Sequence, residues 1–128
     1  MPSVDFKDRI KSALTEPTPE PAFREAVQSL REAAAAIQDA GIVSDAEVRV
    51  EPGHLVNLGQ QFNMVLTIPS RNFRDVLFRA YVPVDGYPVN LDFFGETPVS
   101  CPDQARLESE IVRFLSDRNV NARLQMIA

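Results

Sequence analysis

At 128 residues the chain has the length of a single domain that buries about two thirds of its unfolded surface around one core without a covalent staple. Its one cysteine excludes an intrachain disulfide, and with no charged segment leading into an apolar run at the N-terminus the expected setting is the reducing cytoplasm. A formal charge of −5 argues against phosphate backbones as partners, Arg71, Arg74 and Arg79 make no basic stripe around Asp75, and no apolar run is long enough to span a bilayer.

Phe6, Ile10, Ala13 and Leu14 recur at helical spacing behind Ser3, a candidate cap, and predict a short helix that is stable only when docked. The proline-rich stretch 15–21 separates it from the strongest helical pattern in the chain. There Phe23, Val27, Leu30, Ala34 and Ile37 mark one face, widened by Ala26 and Ala33. Thr18 is the expected N-cap, Pro19 suits the first turn, and Gly41 supplies a left-handed residue at the C-terminal end. The single domain 1–128 thus divides into a short helix and linker, 1–20, and a core, 21–128.

From Ala46 the period changes to two. Ala46, Val48 and Val50 alternate with Glu47, Arg49 and Glu51, and Phe62, Met64, Leu66 and Ile68 alternate with Asn63, Val65 and Thr67, so both stretches predict strands with one buried face. Residues 52–60 between them carry turn residues at each end and read as a loop or a short extra strand. Residues 76–82 and 89–94 predict two further strands, joined through Asp85-Gly86, a dipeptide that favours a two-residue type I′ turn. That turn sets a register. Val82 faces Val89, Ala80 faces Leu91 and Phe78 faces Phe93 on one side of the sheet; Tyr81 faces Asn90, Arg79 faces Asp92 and Leu77 faces Phe94 on the other.

Pro102 and Asp103 suit the first turn of a helix whose buried stripe is Leu107, Ile111, Phe114 and Leu115, with Arg106, Glu108, Glu110 and Arg113 as solvated charges. The tail reads either as a helix through Val120, Leu124 and Ile127 or as a strand through Val120, Ala122, Leu124 and Met126, and a short docked helix is preferred. The expected fold is α+β: N-terminal helices, an antiparallel meander of about four strands, then a C-terminal helix, with the helices on the sheet's apolar face.

The segment "FRAYVPVDGYPVNLDFF", residues 78–94, places Val82-Pro83 before the turn and Tyr87-Pro88 after it. With the order helix, meander, helix, it resembles the RWD and ubiquitin-conjugating (E2-like) superfamily over most of the chain. The chain departs from that pattern in having no further proline between Pro88 and Leu91 and no His-Pro-Asn motif ahead of a catalytic cysteine, and Cys101 follows Tyr87-Pro88 too closely. The resemblance therefore implies the non-catalytic RWD side, whose members act as protein-binding adaptors, including in ubiquitin-like conjugation systems.

Cys101 is the only catalytic candidate. A thiol at a helix N-terminus has a lowered pKa, but a nucleophile also needs a base and an oxyanion partner, and the one histidine, His54, lies in another loop. Cys101 is therefore read as structural, with Cys101→Ser expected to cost little. His54 has no companions at metal spacing, Glu108 and Glu110 point to different sides of a helix, and Gly53 and Gly59 read as turn glycines, so neither metal nor cofactor is expected. The expected partner-binding surface is the sheet face carrying Leu77, Arg79, Tyr81 and Phe94, with Val65 beside them, unless residues 6–14 or the tail fold back over it. The function expected is that of a non-enzymatic protein-interaction or adaptor domain, an accessory subunit of a ubiquitin-like conjugation system, binding a ubiquitin-like or E1/E2-like protein or itself. A divergent E2-like transferase using Cys101 and a small acidic chaperone or immunity protein are the alternatives.

Overall fold

The computed structural model describes residues 2–15, 20–56 and 58–127. The elements run α1 (Pro2–Thr15), α2 (Pro21–Asp39), β1 (Glu47–Val56), β2 (Gly59–Ile68), β3 (Phe73–Pro83), β4 (Val89–Asp92), β5 (Val99–Cys101), α3 (Gln104–Leu115) and α4 (Arg118–Ile127). The strands form one antiparallel five-stranded sheet in the order β1-β2-β3-β4-β5. The class is α+β, as the periodicities predict, with one strand more than the sequence suggests. That strand, β5, is only three residues long and too brief to show alternation.

Side chains on one face of the sheet build the core. Val48 of β1, Phe62, Met64, Leu66 and Ile68 of β2, Phe78, Ala80 and Val82 of β3 and Val89 and Leu91 of β4 are all buried there with Phe93, just past β4. Against them pack Ala26, Val27, Leu30 and Ala34 of α2, Leu107, Ile111 and Phe114 of α3, and Leu124 of α4. Phe93 and Phe114 stack with ring centroids 4.4 Å apart, and Phe78 meets both edge-on at 5.4 and 5.6 Å. Each such pair contributes about 0.5–1.5 kcal/mol beyond its buried area, which fixes α3 over β3 and β4.

Helix α2 begins at Pro21 with Glu20 in the N-cap position, and it ends where Gly41 takes a φ of +66°. The expected cap Thr18 and the first-turn Pro19 lie outside the described residues, and Ser3 falls within α1 rather than ahead of it. Helix α3 starts at Gln104, two residues later than expected. Asp103 caps it, its carboxylate accepting the Arg106 N–H at 2.8 Å. The tail is helical, anchored by Leu124, by an Arg123–Asp75 ion pair at 2.5 Å and by a bond from the Arg71 guanidinium to the Ile127 carbonyl. Residues 5–14 of α1 are exposed throughout, with Phe6 at 57% and Leu14 at 80%, so its apolar stripe is not docked.

The β3–β4 register is the expected one: Arg79 faces Asp92, Ala80 faces Leu91 and Tyr81 faces Asn90. Its turn is different. Gly86 N–H bonds to the Pro83 carbonyl at 2.8 Å, which centres the turn on Val84-Asp85, and the left-handed residue is Gly86 alone, at φ +99°. The connection then returns through Tyr87-Pro88, a cis peptide. A bulge also interrupts β3, since Met64 faces Phe78 while Val65 faces Val76. The extra residue, Leu77, turns into the core and is 4% exposed.

Candidate functional site

Cys101 sits on β5 opposite Val89, fully buried beneath α3, not at a helix N-terminus. Burial pushes its thiol from the ordinary 9.0 up to about 11, helped by the Glu110 carboxylate and by Asp103 against the opposing pull of Arg106. Glu110 is not the solvated charge its helical position suggests. It is 8% exposed and clasped by Arg106 at 3.1 Å and Arg113 at 2.7 Å. His54 is exposed on β1, which is one edge of the sheet while β5 is the other. Four inter-strand spacings separate those edges, roughly 19 Å, so the histidine is out of reach of the thiol. Gly53 and Gly59 lie in strands rather than turns. At Gly59 a Cβ would meet the Val82 carbonyl at 2.6 Å and the Tyr81 ring at 2.8 Å, so only glycine admits that close approach.

Turned away from the core are Glu47, Arg49 and Glu51 of β1, Asn63 and Thr67 of β2, Arg74, Arg79 and Tyr81 of β3, and Asn90 and Asp92 of β4, related by the cross-strand pairing. This face is more polar than the unbroken alternation of β3 suggests. Leu77 has left it through the bulge, and Val65, flanked in the ladder by Arg49 and Val76, is fully buried, so neither offers contact area to a partner.

Of the other expected contact residues, Arg79 meets Phe94, and Tyr81 lines a groove with Arg79 that does not include Phe94. Asp92 Oδ1 accepts the Phe94 N–H at 3.0 Å, β4 ends there, and Phe94 enters the left-handed region at φ +48° instead of pairing with Leu77. Its ring, 40% exposed, lies under the Arg79 guanidinium, 5.3 Å from carbon to centroid. Arg79 itself is exposed and, among the described residues, makes no ion pair. Tyr81 is half-buried, its ring over Gly59 and its hydroxyl donating to the Val56 carbonyl at 3.1 Å. Arg79, Tyr81, Asn90 and Asp92 line a shallow groove with Gln61 and Pro98. Beside Arg79 in the ladder, Asn63 Oδ1 is buried without a hydrogen-bond partner.

The arrangement offers a guanidinium and several hydrogen-bonding groups on strands, with the aromatic face of Phe94 just past the end of β4. Among the described residues no group of three His, Cys, Asp or Glu side chains is placed to hold a metal ion, and no helix is long and apolar enough to cross a membrane. No family model, curated protein or solved structure matches the chain.

Proposed function

We propose that the protein is a non-enzymatic, cytoplasmic protein-interaction domain of RWD-like architecture that binds a protein partner through the Arg79–Phe94 surface, as an accessory subunit of a ubiquitin-like conjugation system. The observation that carries the reading is the stacked Arg79–Phe94 pair, exposed on the sheet face turned away from α2, α3 and α4. Arginine and aromatic side chains are the residue types that dominate interface energetics, and here Arg79 is held on β3 while Phe94 is set just past the end of β4. The buried Cys101, with its raised pKa and distant histidine, supports an adaptor over a thiol-dependent transferase. The order of helix, antiparallel meander and helix, with Tyr87-Pro88 in the β3–β4 connection, supports the RWD-like reading.

Affinity capture from the native host with three baits run side by side tests the proposal. A ubiquitin-like or conjugation-pathway protein retained by the wild type and by Cys101→Ala, and lost with Arg79→Glu, is the expected outcome, because removing an arginine hot spot weakens binding about thirtyfold or more. Capture indifferent to Arg79→Glu removes the surface from consideration. A thioester adduct that requires Cys101 replaces the adaptor reading with the transferase.

A further inference from the structure

We propose a second interaction surface: the edge of β1 pairs antiparallel with β1 of a second copy, about a twofold axis passing beside Val50 and Ala35, so that the sheet continues across both chains. β1 is an edge strand of ten residues, bonded within the sheet only to β2. The Val48 N–H is bonded to Gln38 Oε1 of α2 at 2.8 Å, not to β2. By the alternation of strand geometry, Val48, Val50 and Pro52 therefore present their backbone groups away from the sheet. Such an edge is a template for another strand. The Gln38 side-chain amide already occupies the place of an incoming peptide carbonyl.

Between this edge and α2 lies a groove of about 380 Å³, in which Ala34, Ala35 and Val50 leave room for close approach and Arg31 and Asp39 supply charge, while Arg49 and Glu51 lie on the other face of the sheet. The charges are self-complementary once Arg49 leaves Glu47 of its own chain and Glu51 is shared with Arg74. With Val50 facing Val50 of the second copy, Arg49 faces Glu51 of that copy and the reverse, and Val48 faces Pro52. The same axis, passing Ala35 on α2, sets Arg31, one turn to one side, against Asp39 of the second copy, one turn to the other. The alternatives are poorer: centring on Arg49 puts Arg49 on Arg49 and Glu47 on Glu51, and centring on Val48 keeps an Arg49–Glu47 pairing but leaves only residues 47–49 in the ladder, because β1 begins at Glu47. In the Val50 register each Val50 N–H donates to the other's carbonyl. Each Val48 N–H, released from Gln38, donates to a Pro52 carbonyl, while the Val48 carbonyl receives no bond in return because proline has no N–H.

Sedimentation of the full chain over a concentration series tests this. The 14.3 kDa monomer is expected to give way to a species of twice that mass as concentration rises. Ala35→Glu places like charges on the axis and is expected to weaken association at least about a hundredfold. Val50→Pro deletes the central donor, which by the alternation of the strand points away from β2, and is expected to do the same. Arg31→Asp weakens association, and Arg31→Asp with Asp39→Arg restores it. Should Val50→Pro fail to fold, the α2 variants, at exposed positions, still decide. A monomer at every concentration up to about 1 mM, or a dimer indifferent to Ala35→Glu and to the charge swap, overturns the proposal. So does a persistent monomer that takes an unrelated extended peptide onto β1, which would assign the edge to another chain.

Discussion

Burial and negative charge act together on the Cys101 thiol, and both keep it protonated. Its pKa of about 11 in the fold stands above the ordinary 9.0, so between those values the native state holds a proton that the unfolded chain has released. The stability contributed by the neutral thiol is therefore fully present below pH 9 and lost as pH rises toward 11, an effect on the order of 2 kcal/mol. Tyr87, pushed up by burial and by its 2.9 Å bond to Glu25, acts in the same direction above its ordinary 10.0. Comparing wild type with Cys101→Ala in urea at pH 8 and pH 10.5 isolates the cysteine. The variant is expected to lose less stability over that interval, and equal losses would mean that the thiol is not shielded. Cys101→Ser is no longer a mild change. It places a hydroxyl at a fully buried position among apolar side chains and is expected to cost about 1–3 kcal/mol.

At the level of elements, the β3–β4 connection fastens the start of α2. A Cβ on Gly86 would lie 2.5 Å from the backbone of Ala22, and the residue's φ of +99° is unfavourable for any other side chain. Gly86→Ala is expected to cost about 1–3 kcal/mol in chemical denaturation, because strain and the clash with α2 act together. Asp85, exposed and at negative φ, tolerates valine, and a larger loss for Asp85→Val than for Gly86→Ala would restore the two-residue turn. The contrast marks what was legible in the sequence. Alternating side chains determine which residues face the core, and that is enough to set Ala80 opposite Leu91 whatever the turn does. A bulge leaves no such trace, since Leu77 and Phe78 look like neighbours on opposite faces until the chain kinks to bury both. Pro52 argues locally against a strand, yet β1 runs through it, because at an edge its missing N–H points away from β2. At the candidate site, Arg79 and Tyr81 were legible from alternation. The exposure of Phe94 came from a left-handed residue after Asp92, which periodicity does not encode.

Taken as a whole, the molecule is layered on one side: α2, α3 and α4 cover the apolar face of the sheet, and α1 contributes no buried side chain among residues 5–14. A helix of 14 residues is marginal in water without packing, and the i,i+4 pair Arg9–Asp5 at 3.6 Å is solvent-exposed and worth little. The core, by contrast, draws its helix contacts from elements that begin at Pro21. A chain starting at Glu20 is therefore expected to keep its unfolding free energy within about 1 kcal/mol of the full-length protein, the scale of surface interactions. Paired urea titrations followed by far-ultraviolet circular dichroism measure this directly, the shorter chain showing a helical signal reduced by no more than the share of α1 and an unchanged denaturant slope. A loss above about 2 kcal/mol would require α1 to bury apolar surface, since exposed contacts do not reach that magnitude. In that event Phe6, Ile10 and Leu14 would belong to the core and the one-sided layering would fail.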